Sequence, residues 1–332
     1  MSPTKVYVTG ATGFIGSHVV KAALEIGYHV RLSVRKQSQI QDLKDLFPSD
    51  HAKLEFEEIP DITKPDAFHN SFDGVEYIFH LASPMPGKGD DFQADYVDPA
   101  VKGTNAILNA AKQSPSVKRV VITSSLLALV PLGQLNATDL RVTEDSSHHL
   151  IVPSDTTFPE GFAGHGLKYH ASKILAHQAT QSLVDRKKPS FSIITLHPSF
   201  VLGPSLIQKS ASDISGINAF LWNSLTAEAP QFPSIIVDVR DVADAHLRAA
   251  VVPLKQQGVT EFLISAPTSE WETIASFMAR EFADVKVAWK RPFPEAFKVD
   301  VSRASDVLGM RWRPVVETVR AVVDQQTGFA SR

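Results

Sequence analysis

The chain has 332 residues, 43% hydrophobic and 21% charged, with a formal net charge of −3 and no cysteine. That balance fits one large globular domain, or a larger domain carrying a smaller one. The charge excludes an electrostatic grip on nucleic acid or anionic lipid, and the missing cysteine excludes disulfides, thiolate nucleophiles and cysteine–metal sites. Two uncharged stretches, Val120–Thr138 and Pro189–Gln208, are broken by Pro, Gly and Ser. They read as buried strand plus turn rather than membrane spans. MSPTKVYVTG has no signal-peptide layout, so the expectation is a soluble, cytoplasmic protein.

Strand-like and helix-like stretches alternate through the first half. KVYVTG reads as a strand, Phe14–Gly27 as a helix with a glycine stop, and HVRLSVR as a second strand. KLEFEEI, VEYIFHLAS, KRVVITSS and FSIITLHPS follow as further strands, with helices over Pro99–Ser114 and Leu167–Arg186. Alternating βα units with near-continuous apolar strands predict an α/β fold: a doubly wound parallel sheet binding ligands beyond the carboxyl ends of its strands.

The pattern loosens after residue 198. Gly203-Pro204 opens a polar stretch to Phe232-Pro233, and VDVRDVADAHLRAAV gives another strand–helix unit with Asp241 as a candidate cap. Residues 260–330 read as a smaller α/β group ending in a helix over Pro314–Gln326. The expected division is a dinucleotide-binding unit at 1–198, with 235–252 returning to it, and an interleaved substrate-binding subdomain over most of 199–332.

VTGATGFIG places Gly10, Gly13 and Gly16 between the first strand and first helix. Glycines there permit a tight turn and let backbone approach a pyrophosphate, while the helix start at Phe14 and Ile15 offers N–H groups. Gly16 is followed by Ser17-His18 rather than Lys-Ser/Thr, so this is not a nucleoside-triphosphate loop. A glycine-rich turn without ligand is the plainer alternative. From Tyr28 to Gln41 there is no acid to accept from a ribose 2′-OH, and the second strand ends Val34-Arg35-Lys36. A guanidinium there suits a 2′-phosphate, or is simply an exposed basic strand end. Asp61-Ile62 stands where an adenine edge would bind, or Asp61 caps a helix over Thr63–Phe72.

In LKYHASK, Tyr169 and Lys173 are four apart and share one face of a helix. A phenol beside an ammonium is a candidate acid–base unit. His80 and His197 stand at strand ends, neither with a partner at metal-ligand spacing, and His148-His149 lies in a polar loop; no metal is expected.

Taken in order, GATGFIG, Asp61-Ile62, His80-Leu81-Ala82-Ser83-Pro84, Thr123-Ser124-Ser125, Tyr169-x-x-Ser172-Lys173, His197-Pro198 and Val237-Asp238-Val239-Arg240-Asp241 resemble the extended short-chain dehydrogenases/reductases. Within them the likeness is to the branch of dihydroflavonol reductases and fungal aldehyde/methylglyoxal reductases. The resemblance implies a Rossmann-type fold, NADP(H) as cofactor, and Ser125, Tyr169 and Lys173 as the catalytic set. It implies cofactor contacts from Gly10, Thr12, Gly13, Phe14, Ile15, Gly16, Arg35, Lys36, Asp61, Ile62, Leu81, Ala82, Ser83, Thr123, Pro198, Ser199 and Phe200, together with Tyr169 and Lys173. Ser83, Met85, Phe92, Ser125, Leu126, Phe162, Tyr169 and Phe200 are the candidate substrate wall.

The chain departs from the family pattern in two places. Ser125 and Tyr169 are 44 positions apart, and Glu144-Asp145-Ser146-Ser147 leads to His148-His149 where a tryptophan is common. With Gly161, Gly164 and Gly166, the extra length predicts a mobile rim over 131–168. The implied activity is NADPH-dependent reduction of an aldehyde or ketone with an apolar part, by a monomer or homodimer. A nucleotide-sugar epimerase or dehydratase and a non-catalytic NADP-sensing regulator are the alternatives on the same scaffold.

Overall fold

A computed structural model describes residues 3–83, 89–254 and 258–330. In chain order the strands are β1 (Lys5–Thr9), β2 (His29–Val34), β3 (Leu54–Glu58), β4 (Tyr77–His80), β5 (Arg119–Thr123), β6 (Arg141–Val142), β7 (Ser192–Pro198), β8 (Phe200–Leu202), β9 (Ile236–Asp238), β10 (Val259–Ile264) and β11 (Lys298–Val299). The helices are α1 (Phe14–Glu25), α2 (Ser38–Leu46), α3 (Asp98–Ala111), α4 (Gly161–Lys187), α5 (Gly216–Ser224), α6 (Val239–Val251), α7 (Trp271–Glu281), α8 (Ser302–Val307) and α9 (Val315–Ala330).

Seven strands form one sheet in the order β10-β7-β5-β4-β1-β2-β3, every neighbouring pair parallel. The expected doubly wound sheet is present. Its strands bury both faces, which is why VYV, IF and VVI read as unbroken apolar runs rather than alternating ones, and every residue of SIITLHP is buried. On one face α1 and α6 pack over Val6, Val8, Leu32, Phe79, Val121 and Ile194. On the other, Tyr7, Ile78, Val120 and Ile193 bury with Ile107 and Leu108 of α3 and Leu183 and Val184 of α4. Each such Val, Leu, Ile or Phe side chain contributes about 1.5–3 kcal/mol relative to exposure. The strand order reverses beside β1, and parallel pairing brings the carboxyl ends of β1, β2, β4, β5 and β7 to one edge.

The structure corrects several elements. Val259–Ile264 belongs to the large sheet, paired with β7, rather than to the smaller C-terminal group. That group has its own core, built on Trp271, Ile274, Phe277 and Met278 of α7, Val319 and Val323 of α9, and Phe232. The cap of α6 is Asp238, whose Oδ1 accepts from Arg240 N at 2.8 Å. Asp241 instead pairs with Arg313, accepting from its backbone N at 2.8 Å and from its guanidinium. Residues 63–72 form successive turns, not a helix; Pro65 interrupts the segment, and Phe68 and Phe72 anchor it edge-on to Tyr7. Finally, α4 begins at Gly161, six residues before its expected start at Leu167. Glycine read as loop, yet Gly164 is what lets the first turn close: a Cβ there would stand 1.7 Å from the Pro159 carbonyl oxygen.

Candidate active site

The glycine loop is built by close approach. Gly10 has φ +75°, and a Cβ on it would meet Ala82 N at 2.8 Å; one on Gly16 would meet Gly10 O at 2.1 Å. Gly13 N donates back to Gly10 O at 3.0 Å, and α1 starts at Phe14 with no side-chain cap and no acid in its first turn. The N–H groups of Phe14, Ile15 and Gly16 therefore present the positive end of a helix without a competing anion, an arrangement suited to a phosphate.

Thr9 fastens this loop to its neighbour. Its Oγ1 accepts from Leu81 N at 3.1 Å and Ala82 N at 3.0 Å, so its hydrogen goes to His80 Nδ1 at 2.9 Å. Burial, with a smaller contribution from the Lys173 charge, lowers the His80 pKa to about 4 and keeps the ring neutral. The sequence reading missed this role of Thr9 and His80, because the partners lie over 70 positions away.

At the end of β2, Gln39 Oε1 accepts from the backbone N of Arg35 at 2.8 Å and of Lys36 at 3.2 Å, while its Nε2 reaches Thr12 Oγ1 at 3.4 Å. This ties the basic strand end to the glycine loop and leaves both cationic side chains exposed. No ion pair of Arg35 occurs among the described residues. Asp61 accepts from Thr63 Oγ1 at 2.6 Å and Thr63 N at 2.9 Å. Those bonds, with lesser help from Lys64 and Arg35, hold its carboxyl below the usual range. Ile62 packs against Gly103 of α3.

Tyr169 and Lys173 meet as their spacing requires. Lys173 Nζ lies 5.1 Å from the Tyr169 ring centroid and donates to Ser83 Oγ at 2.8 Å, although the residue is only 7% exposed. Ser125, two residues beyond β5, is extended and caps the turn Leu126–Ala128, its Oγ accepting from Leu127 N at 3.2 Å. That bond uses a lone pair and leaves the hydroxyl hydrogen to donate. Pro198 ends β7, and Ser199 directs its hydroxyl inward to Ser265 Oγ at 2.9 Å. Thr123 likewise gives its hydroxyl to His246 Nε2 at 2.6 Å, the other ring nitrogen donating to Val242 O.

The expected substrate wall divides. Leu126 is 2% exposed and packs with Leu129, Val130, Val142 and Phe297 beneath the Ser125 turn. Phe200 leans on Phe232, with ring centroids 5.3 Å apart, at the base of the C-terminal core. Phe92 meets Phe158 at 4.6 Å, and Phe162, 76% exposed, faces Phe220 at 5.8 Å. Met85 and Pro84 lie outside the described residues. The expected rim is helical over its last eight residues and clasped: Tyr96 Oη and His165 Nδ1 are 2.5 Å apart, and Lys168 Nζ donates to Asp90 O at 2.6 Å.

His197 also differs from its sequence reading. It has close partners in space: Glu261 Oε2 at 3.2 Å and the ring of His177 at 4.8 Å. Two signals were available, His177 continuing the face of Tyr169 and Lys173, and Glu261 standing charged inside the strand VTEFLI. No helix among the described residues is long and apolar enough to cross a membrane.

Residues 6–258 match the family model for the NAD dependent epimerase/dehydratase family. The chain is 36% identical over 341 residues to Ketoreductase sphI of Aspergillus fumigatus, covering 100% of both. It superposes on the yeast methylglyoxal/isovaleraldehyde reductase Gre2 complexed with NADPH with a TM-score of 0.82 and 27% identity, covering 99% of this chain and 100% of that one. The Gre2–NADPH complex from Candida albicans gives 0.81 and 25%, covering 98% and 99%. Fold, glycine loop and sequence agree: the chain belongs to the NAD dependent epimerase/dehydratase family.

Proposed function

We propose that this protein is an NADPH-dependent carbonyl reductase that converts an aldehyde or ketone with an apolar part to the alcohol. The observation that carries the reading is the placement of Lys173 against Tyr169 and Ser83, with Ser125 just beyond β5 at the same sheet edge as the glycine loop. The residues fit the cofactor. Gly10 and Gly16 leave a cradle that a Cβ would fill, α1 opens toward it without an acid, and β2 leads directly into exposed Arg35 and Lys36 where an NAD site would carry a carboxylate.

When bound, NADPH supplies the hydride. Ser125 donates a hydrogen bond to the substrate oxygen and fixes it for proton transfer. The Tyr169 hydroxyl gives that oxygen its proton, and the Lys173 ammonium stabilises the phenolate left behind. Ser83, already bonded to Lys173, orients the ammonium. Phe92, Phe158, Phe162 and Phe220 offer aromatic surface for the apolar part of the substrate. This reading also places the chain in a reducing, cytoplasmic setting, where a protein without cysteine gives up nothing.

The test is NADPH consumption across a panel of aliphatic and aromatic aldehydes and ketones, with the alcohol identified as product. No consumption with any carbonyl, together with NAD retained by the purified protein and released on denaturation, would favour an epimerase-type reaction instead.

A further inference from the structure

Glu261 is a carboxylate placed inside the sheet. Its side chain is 6% exposed and lies in register beside Thr195 of β7. One oxygen, Oε1, accepts from Gln181 Nε2 at 2.8 Å and Ser147 Oγ at 3.3 Å. The other, Oε2, lies 3.0 Å from His177 Nε2 and 3.2 Å from His197 Nε2, and both rings are almost fully enclosed. Burying a carboxylate is costly unless N–H donors or positive charge compensate it, and here two imidazoles converge on one oxygen. Burial alone would push the Glu261 pKa up, but the nearby imidazoles of His177 and His197 more than reverse this and hold the carboxyl below its ordinary range.

Each histidine leads from this hub to a different part of the proposed catalytic set. His197 Nδ1 donates to the Ser125 carbonyl at 3.2 Å. His177 is one turn beyond Lys173 and two beyond Tyr169 on the same face of α4. A polar cavity of about 30 Å³, bordered by His80, Ser83, Thr123, Lys173, His177 and Thr195, separates the hub from Lys173. It has room for a water molecule.

We propose that Glu261, His177 and His197 are positioning residues, a buried His–Glu–His hub that sets the Ser125 turn against the Tyr169–Lys173 face of α4. The proposal rests on the catalytic reading given above. Ser125 and Tyr169 come from different elements, and neither β5 nor α4 alone fixes their separation. The hub joins the two through β7 and β10, and a displacement of about 1 Å at such a site costs about a hundredfold in rate.

Four variants test this: His197→Asn, His197→Leu, Glu261→Gln and Tyr169→Phe. Asparagine keeps an N–H for the Ser125 carbonyl, whereas leucine fills the space and leaves that carbonyl unpaired. His197→Leu and Glu261→Gln are expected to lower kcat by about ten- to a hundredfold, with NADPH affinity within about twofold of wild type. His197→Asn should recover most of the loss. The proposal falls if the asparagine and leucine variants lose kcat equally, or if activity merely follows the folded fraction. Hub variants as fast as wild type, alongside an inactive Tyr169→Phe, would overturn the hub and leave the catalytic reading intact. A fully active Tyr169→Phe would overturn both. One equivalent of zinc in the purified protein, whose removal by chelator lowers Tm, would replace the hub with a metal centre, since two histidines and a glutamate are also a zinc donor set.

Discussion

Lys173 and Ser83 are joined by a 2.8 Å hydrogen bond that links the middle of α4 to the loop leaving β4, 90 positions earlier in the chain. The bond places an ammonium beneath the Tyr169 ring and within the wall that also carries the glycine loop. The proposed proton donor and the proposed cofactor cradle are thereby held as one unit, which is the geometric requirement for coupling hydride and proton transfer at a single carbonyl.

Thr9 ties the end of β1 to the segment leaving β4, and Thr9→Val tests that role. Valine keeps the shape but leaves the N–H groups of Leu81 and Ala82, and Nδ1 of His80, without their shared hydroxyl. The expected result is a loss of about 1–3 kcal/mol in urea unfolding and weaker NADPH binding. Wild-type values of both would show that the hydroxyl is dispensable.

Arg35 is expected to set cofactor choice. Gln39 fixes its backbone while the guanidinium stays exposed at the strand end. Arg35→Ala should lower the NADPH/NADH ratio of kcat/KM by roughly ten- to a hundredfold, toward the low end where Lys36 compensates. Added salt should weaken NADPH more than NADH in the wild type. An unchanged ratio would place the 2′-phosphate elsewhere.

Stability should fall on mild acidification. Burial depresses His80 and His246 from the ordinary 6.5 to about 4. Between those values the unfolded chain binds protons that the folded chain refuses, so unfolding free energy falls as pH drops from about 6.5 toward 4 and levels off below. Each ring contributes on the order of 3 kcal/mol across that window. Urea unfolding at pH 7.5, 5.5 and 4.5 measures the slope. Stability that did not change between the first two would mean these rings are accessible to protons.

Features legible in the sequence are those whose physical demand is local. The glycine loop declares itself because only residues without a Cβ fit between Gly10, Gly16 and Ala82. Tyr169 and Lys173 declare themselves through helical spacing. Features that escaped are those completed by distant pairing. VTEFLI became the seventh strand only by lying against β7, over 60 positions earlier. The start of α4 was hidden because glycine in a helix looks like a loop until the Pro159 carbonyl explains Gly164.

The most direct measurement of the central claim pairs turnover with cofactor binding in Tyr169→Phe. Only the hydroxyl is removed, and the ring remains beside Lys173. With a carbonyl that the wild type reduces, kcat should fall by about 10²–10⁴-fold, while the NADPH dissociation constant from fluorescence titration stays within about twofold. Wild-type turnover in this variant would contradict the account, because the proton would then come from another group.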